Sequence, residues 1–558
     1  METKNLSPFK SIGLCFSGGG FRASAFALGV LSYLNRAQFQ SKPLLKNVEA
    51  ISTVSGGTLT GVAYASSQAN GFEFDQFYRT FYHFLNSDCL LETAIEYLED
   101  DSIWKKNSKK RSLINAFALA YEHLLFKGKF DLFFKENTKS HIKHVCFNAT
   151  EFSFGLAFRF QNTGWFGNKP INGSNLEELP EITAVKADIR LADAVASSSC
   201  FPFGFEPMIF PDDYFEDHTV GNYKAIKNHD IFINGIGIMD GGIVDNQGIG
   251  SMINIDESRN SKLDLIIIND VGSYKMDPWI QESGIPGKKK SLRDSVGGIL
   301  NYLRPRWYYW GILLIGVSLL VLNSMNLLSS DVRIGLYILG GVLSGAGIVL
   351  IIIGILFRML KNTVVSRFKF IYKEKVPEEL MDDVASLSGL DISLIRRMIS
   401  ERMTTTFKMV NEIFLKQIRR LNYDLIYSKS SYLHRRITST VYQLNGQETL
   451  YKSNPINKNI EPPTDAMNAV ALIASETPTT LWWDKKDKSI DRLNTLVACG
   501  QFTTCYNLLD YIYKLPESSQ NREISDLQKM LLDDWSNFLT DPQFLVTLQN
   551  ELSGATTP

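Results

Sequence analysis

Two long apolar segments without a charged residue, residues 307–328 and 334–357, limit the folds that are open to this chain. Each has about 20 residues, the length that an α-helix needs to cross a hydrocarbon core about 30 Å thick. Only Ser329–Arg333 separates them, which predicts a transmembrane hairpin with both ends on the same side of the membrane. A hairpin buried in a soluble protein is the weaker alternative, because both runs lack charge over their whole length.

Basic residues flank this hairpin, whereas the turn holds a single arginine, so the positive-inside rule predicts cytoplasmic flanks. Trp307–Trp310 would form an aromatic anchor where the first span begins. The second span has small residues at spacings that suit either packing within the hairpin or self-association of chains. The basic residues are Lys288, Lys289, Lys290, Arg293, Arg304 and Arg306 before the hairpin and Arg358, Lys361, Arg367, Lys369 and Lys373 after it; the small ones are Gly340, Gly341, Ser344, Gly345 and Gly347.

Composition excludes several classes of function. The 558 residues carry a formal charge of -1, which gives no support to a nucleic-acid partner. The six cysteines form no C-x-x-C pair, so neither a metal site nor a disulfide framework is expected. We expect no cofactor. Because a glycine cluster already begins at Gly18, we expect no cleavable signal peptide in the first residues of this sequence.

The pattern of strands and helices predicts four regions. Before the hairpin, β-prone runs alternate with helical ones, which favours an α/β domain with a mainly parallel sheet over residues 1–285. A basic juxtamembrane linker follows at residues 286–306, and the hairpin occupies residues 307–357. Residues 358–558 are expected to form a helical cytoplasmic region, which includes amphipathic helices.

Ser55 lies in the run AISTVSGGTLTG, where a strand, a sharp turn and a helix follow one another. That is the context of a nucleophile elbow, which exposes a serine hydroxyl above a sheet. Gly56 and Gly57 would support the turn, but Thr53 stands where the elbow pattern has glycine. A plain turn with a serine N-cap is the alternative, at about even weight.

A serine nucleophile needs a base, and none of the seven histidines lies in a motif that marks it. Asp240 is the better candidate, because Gly241 and Gly242 allow the backbone to turn away from a strand end. A carboxylate serves as base only if burial raises its basicity. An ordinary Asp-Gly turn is the alternative, and Asp245 is a nearby rival.

The glycines of CFSGGGFRASAF suit the stabilisation of negative charge, which ester cleavage by a serine also requires. Acyl transfer from an ester forms an oxyanion, which backbone N–H groups can stabilise. Gly18, Gly19 and Gly20 present such groups without side chains, at the start of a helix whose positive end faces the same place. Arg22 would hold the loop or meet an anion. A phosphate loop is the weaker alternative, since GGGFRAS matches no nucleotide-binding motif.

Together, Gly18-Gly19-Gly20-Phe21-Arg22, Val54-Ser55-Gly56-Gly57 and Asp240-Gly241-Gly242 resemble the patatin-like phospholipases over about residues 11–272. The resemblance implies a three-layer α/β domain and a Ser-Asp dyad without histidine. It implies Ser55 as nucleophile, Asp240 as general base, and an oxyanion hole formed by the glycine loop with Arg22. Thr53 departs from the family pattern and leaves the tightness of the elbow open.

The expected function is therefore that of a membrane-anchored lipid acyl hydrolase of the phospholipase A type, whose partners are a phospholipid bilayer and its lipid substrate. The resemblance also raises a bacterial inner-membrane location and a role as a regulated defence effector. The alternatives are a silent scaffold or sensor, or a serine esterase that cleaves other esters. Chains could associate through the hairpin or the C-terminal helices.

Two further segments have open interpretations. Residues 209–231 would form either a lid over the site or an ordinary surface excursion. A set of arginines after the hairpin would contact either anionic lipid or neighbouring acidic side chains. These arginines are Arg396, Arg397, Arg402, Arg419, Arg420, Arg435 and Arg436.

Overall fold

The computed structural model of the chain forms two compact units, residues 1–276 with 411–558, and residues 277–410. It describes residues 8–87, 89–134, 140–164, 166–167, 185, 187–228, 232–259, 262–272, 279–280, 307–325, 330–375, 392–447, 457–516 and 521–553. The predicted basic linker at residues 286–306 lies outside the described residues.

A mixed, mostly parallel sheet forms the centre of the first unit. Its strand order is β10-β9-β1-β4-β5-β8-β7, with β6 also paired to β5. The strands from β10 to β5 are parallel, whereas β6, β7 and β8 pair antiparallel. The strands are β1 Ile12–Phe16, β4 Val48–Val54, β5 His144–Glu151, β6 Leu156–Gln161, β7 Met208–Phe210, β8 Ile236–Asp240, β9 Leu265–Asp270 and β10 Arg436–Thr440, and a separate hairpin joins β2 Gln38–Phe39 to β3 Lys42–Pro43.

Helices cover both faces of the sheet, which confirms the predicted three-layer α/β fold. Successive side chains of a strand point to opposite faces: Leu14 and Phe16 belong to the larger apolar core, and Cys15 to the smaller core on the other face. The helices are α1 Gly20–Arg36, α2 Gly56–Ala69, α3 Phe74–Asn86, α4 Cys89–Glu99, α5 Asp101–Lys106, α6 Leu113–Leu124, α7 Leu191–Ser198, α8 Gly221–Lys227, α9 Ile249–Ser258, α10 Trp307–Ser324, α11 Ser330–Lys375, α12 Ile392–Lys408, α13 Leu415–Tyr427, α14 Asp465–Glu476, α15 Lys485–Ser489, α16 Arg492–Tyr513, α17 Arg522–Thr540 and α18 Phe544–Ser553.

The C-terminal region is helical as predicted, but residues 411–558 do not form a region of their own. They belong to the same unit as the sheet, and β10 extends that sheet by pairing with β9. Helix α16 is buried along nearly its whole length instead of being amphipathic. It approaches α1 closely, because a β-carbon on Gly29 would lie 2.1 Å from the Val497 carbonyl oxygen and one on Gly500 would lie 2.3 Å from that of Phe26.

The second unit contains two helices that are long and apolar enough to cross a membrane, Trp307–Ser324 and Gly335–Leu356. The second of these lies within α11, whose first turn takes up most of the predicted connecting turn. The two helices pack closely where Gly316, Gly340 and Gly347 face the other helix, whereas Gly341 and Gly345 have open space beside them. The small residues therefore serve packing within the hairpin on one side of α11 only.

The long helix predicted around residues 393–427 is interrupted once. Helix α12 continues into a π-helical stretch, Met409–Phe414, and then into α13. Arg419 on α13 pairs with Asp270, and Arg435 pairs with Asp256. These two arginines therefore contact acidic side chains, which is one of the two interpretations given above, and each carboxylate is nearly buried.

Candidate active site

Ser55 occupies the turn between β4 and α2 in a conformation that costs energy. Its φ of 50° and ψ of -122° are unusual for a residue with a β-carbon, and such strain is retained where the surrounding structure enforces it. The two following glycines permit this turn: a β-carbon on Gly56 would lie 2.0 Å from the Gly20 carbonyl oxygen, and one on Gly57 would lie 2.6 Å from that of Phe16. The elbow therefore packs directly on the glycine loop.

Thr53, which departs from the elbow pattern, is accommodated by Gly61, a glycine of α2. A β-carbon on Gly61 would lie only 2.5 Å from the Thr53 methyl group, so Gly61 leaves the space that Thr53 fills. The Thr53 hydroxyl lies 3.0 Å from that of Thr58, which lies 2.8 Å from that of Ser198. Ser198 in turn accepts the Ser55 N–H at 2.9 Å. Thr53 thus belongs to the chain of hydroxyls that holds the strained turn.

Asp240 ends β8, which runs antiparallel to β5 and brings the carboxyl group to the turn at Ser55. Because β6 covers one edge of β5 over Cys146–Glu151, β4 and β8 share the other edge. Val54 is level with Asn148 and Asp240 is level with Ala149, so the two strands meet end to end at the serine. A β-carbon on Gly241 would lie 2.4 Å from the Asn148 carbonyl oxygen, which shows why the close approach needs glycine there.

The carboxyl group of Asp240 has the properties of a general base. Burial raises its pKa to about 6, although hydrogen bonds from the Ser55 side chain and the Gly242 N–H act in the opposite direction. The Gly242 N–H donates to Oδ1 at 2.7 Å and fixes the carboxylate. At pH 7 this group is therefore mostly ionised yet far more basic than an exposed aspartate.

The glycine loop lies against the serine, but its three N–H groups differ. A β-carbon on Gly18 would lie 3.1 Å from that of Ser55. The Gly18 N–H donates to both the backbone and the side-chain oxygen of Asn246 at 2.9 Å. Its expected role as an oxyanion donor stays a prediction. Within the described part of the chain, the N–H groups of Gly19 and Gly20 have no acceptor.

Arg22 supports the loop from behind instead of facing the serine. Its guanidinium donates to the carbonyl oxygens of Ser475 and Thr477, while the Phe21 N–H donates to Thr480 at 2.7 Å. Burial lowers the pKa of Arg22 to about 10. Of the two expected roles for Arg22, the geometry favours holding the loop: its bonds fasten the loop to residues 475–480 of the C-terminal region.

The other candidate groups have structural roles. Asp245 accepts N–H bonds from Gln247, Ile249 and Gly250 and so caps α9. Among the described histidines, the hydrogen bonds of His123, His141 and His144 go to Tyr97, Tyr64 and Thr163. Residues 209–231 are anchored in their described part by buried Tyr214 and Phe215, which favours an ordinary excursion over a lid.

Residues 14–253 match the family model described as patatin-like phospholipase. The chain contains a patatin-like phospholipase domain. Among solved structures, human GIVD cytosolic phospholipase A2 is similar at 13% identity and a TM-score of 0.31, over 47% of this chain and 45% of that one. The match thus spans less than half of that protein. A search of curated proteins found no match.

The patatin-like domain also relies on residues that sequence reasoning missed. Asn246 holds Gly18, and Ser198 holds the Ser55 N–H while donating to the Asn148 carbonyl oxygen at 2.6 Å. The Asn148 amide donates to the Thr53 carbonyl oxygen. Ser198 lies in the run AVASSSCF and Asn148 in the run FNATE, and both residues support the elbow.

Gly20→Ala is expected to lower turnover by about 10²-fold or more, the usual effect of losing an oxyanion donor. The new β-carbon would lie 2.2 Å from the Thr480 carbonyl oxygen, which would move the loop. Gly71→Ala is the matched control, since Gly71 also has a positive φ but open space around it. Steady-state kinetics and thermal unfolding would check this. Equal losses of turnover in both variants would contradict the assignment.

Proposed function

We propose that the chain is a membrane-anchored serine lipid acyl hydrolase that cleaves glycerophospholipid esters through an acyl-Ser55 intermediate. The observation that carries the proposal is the strained serine held beside a buried aspartate whose pKa is raised to about 6. The family match over residues 14–253 supports a lipid ester as the substrate class.

In the first step the Ser55 oxygen attacks the ester carbonyl carbon and its proton passes to Asp240. The carbonyl oxygen becomes an oxyanion, which the N–H groups of Gly19 and Gly20 stabilise together with the N-terminus of α1. Collapse of this intermediate breaks the bond to the lysolipid oxygen, which takes the proton from Asp240. Water then attacks the carbonyl carbon of the acyl-serine while Asp240 takes its proton. The bond to the Ser55 oxygen breaks, that oxygen takes the proton from Asp240, and the fatty acid is released.

Membrane anchoring rests on the two helices Trp307–Ser324 and Gly335–Leu356. Fewer than a fifth of the residues in either span are buried, unlike those of a soluble core helix. We propose that these helices hold the hydrolase at its substrate, which raises the effective concentration of lipid at the site. With cytoplasmic flanks, both the catalytic and the C-terminal regions would lie in the cytoplasm, and a bacterial inner membrane fits the resemblance.

Two other functions share parts of this geometry. A silent scaffold would need no basic carboxylate beside a strained serine, so the raised pKa of Asp240 argues against it. An esterase for soluble substrates would use the same chemistry, and the two apolar helices favour the lipid substrate over it.

The test uses the purified full chain in detergent micelles and in vesicles of mixed phospholipids. A fluorophosphonate probe is expected to label Ser55, as peptide mapping by mass spectrometry would show. Product analysis is expected to show fatty acid and lysophospholipid in equal amounts. Absence of labelling would support the silent scaffold. Hydrolysis of soluble esters without hydrolysis of vesicle phospholipid would support an esterase for soluble substrates.

A further inference from the structure

Three loops near the candidate site expose large apolar side chains. The turn between β5 and β6 reads FSFG, the loop after α7 reads CFPFGF, and the segment that enters β8 reads INGIG. Phe152, Phe154, Phe203 and Ile233 are 51%, 59%, 65% and 53% exposed. We name these four side chains the apolar rim. Exposed apolar residues that occur singly need no explanation, but a group of them on one edge of a domain does.

The three loops meet at Gly237. The Phe152 N–H donates to the Gly237 carbonyl oxygen at 2.9 Å. A β-carbon on Gly237 would lie 3.6 Å from that of Phe152 and 3.2 Å from that of Pro207. Pro207 ends the loop that bears Phe203, and Ile233 precedes Gly237 by four residues. The apolar rim is therefore assembled from neighbouring loops.

The rim adjoins the catalytic pair. The Asp240 N–H donates to the Cys200 carbonyl oxygen at 2.9 Å, so the loop with Phe203 starts beside the proposed general base. Ala149 on β5 is level with Asp240. Phe152 directly follows the end of β5, so it lies three residues beyond Ala149, a distance of roughly 10 Å along the chain at 3.3 Å per residue. The apolar rim thus lies beyond Asp240 on the same edge of the sheet.

The conformation of Phe203 indicates that its exposure is enforced. Its φ is 69°, which is rare for a bulky side chain. The turn is tight because a β-carbon on Gly204 would lie 2.2 Å from the Phe201 ring, and the Phe201 and Phe205 rings pack 5.0 Å apart. The packing of this turn therefore fixes the backbone conformation from which Phe203 is exposed.

We propose that the apolar rim inserts into the acyl layer of the bilayer to which the chain is anchored and positions the site to receive a lipid chain. This proposal rests on the proposed function. Exposed phenylalanine side chains on neighbouring loops suit the boundary between head groups and acyl chains. Phe72 offers the contrast, since it is also exposed but lies outside the three loops, between α2 and α3.

The first experiment does not depend on catalysis. The full chain with Ser55→Ala and Cys89→Ser receives the fluorophore NBD at Ser153→Cys, or at Asn70→Cys as control. The other five cysteines are buried and should not label. In phosphatidylcholine vesicles with brominated acyl chains, the label at position 153 is expected to shift to the blue and to be quenched, and the label at position 70 is not. Equal quenching at both positions would overturn the proposal.

The second experiment measures hydrolysis. Phe154→Ser with Phe203→Asn is expected to reduce hydrolysis of vesicle phospholipid about tenfold or more, as follows from losing the burial of one ring. Asparagine suits the positive φ of residue 203. Hydrolysis of a soluble short-chain ester should stay within twofold, and Phe72→Ser should change neither rate.

The outcomes separate the two proposals. If the wild-type chain hydrolyses no lipid while the label at position 153 is still quenched, the proposed function fails and the membrane contact stands. If both substrates lose activity equally in the double variant, the rim acts on the structure of the site and the proposal is wrong. Disulfide crosslinking of Ser153→Cys chains in detergent would show a second copy on this surface and would also overturn it.

Discussion

Ser55→Ala is expected to abolish phospholipid hydrolysis, with a loss of about 10⁴-fold or more in turnover, because the acyl-enzyme cannot form without the hydroxyl. Fluorophosphonate labelling should disappear at the same time. The fold should survive, since the hydrogen bond from Ser55 to Ser198 involves the backbone N–H and not the side chain. Lipid product analysis by mass spectrometry and thermal unfolding measure the two effects.

Ser198→Ala offers a comparison for this prediction. It removes the acceptor of the Ser55 N–H and the partner of the Thr58 hydroxyl, yet leaves the nucleophile in place. We expect a smaller loss of turnover together with a lower unfolding temperature.

Hydrolysis by the Ser55→Ala variant at close to the wild-type rate would exclude Ser55 as nucleophile.

Asp240→Asn is expected to reduce turnover by about 10⁴-fold, since an amide cannot accept the serine proton. The substitution should also stabilise the protein. Burial raises the folded-state pKa of Asp240 to about 6, above an ordinary value of about 4, so the charged form costs on the order of 3 kcal/mol at pH 7. This cost is absent below pH 4, grows as the pH rises through 6, and disappears with the amide.

Kinetics and unfolding measured from pH 5 to pH 8 would test both effects together. An inactive Asp240→Asn variant with a higher unfolding temperature at pH 8 than wild type would show that inactivity does not come from misfolding. An Asp240→Asn variant with near-normal turnover would refute the Ser-Asp dyad.

The wild-type enzyme is expected to lose activity as the pH falls through about 6. The active form of Asp240 is the deprotonated base, so kcat/KM should fall about tenfold per pH unit below its pKa. A short-chain soluble ester is the suitable substrate, because its hydrolysis does not depend on the state of a vesicle. A half-maximal point near pH 4 instead would mean that Asp240 titrates as an exposed carboxylate does.

The parts of the site that follow from local sequence were predictable. The strand before Ser55, the glycines after it and the Asp-Gly-Gly sequence each describe a backbone turn, and backbone freedom depends on the residues at the turn itself. The structure forms the turn at Ser55 with the strained backbone expected of an elbow. The two apolar helices were equally visible, because length and absence of charge are properties of a single segment.

The sequence could not show which N–H groups of the glycine loop are free. Asn246 accepts the Gly18 N–H, and this bond joins residues more than 200 positions apart. The same holds for Ser198, whose hydroxyl resembles that of its neighbours in the sequence and differs only in its position beside the elbow. Side chains that act across such separations carry no local pattern.

By itself, then, the sequence determined the α/β class and the two apolar helices, and it predicted the serine, the aspartate and the glycine loop as the site. Tertiary structure alone decided that residues 411–558 belong to the same unit as the central sheet, through β10 on the sheet and residues 475–480 on the glycine loop. It also decided that β4 and β8 share one edge of β5, which brings Ser55 to Asp240. The physical reason is that local sequence sets the backbone of each turn, while burial and long-range strand pairing set which turns meet.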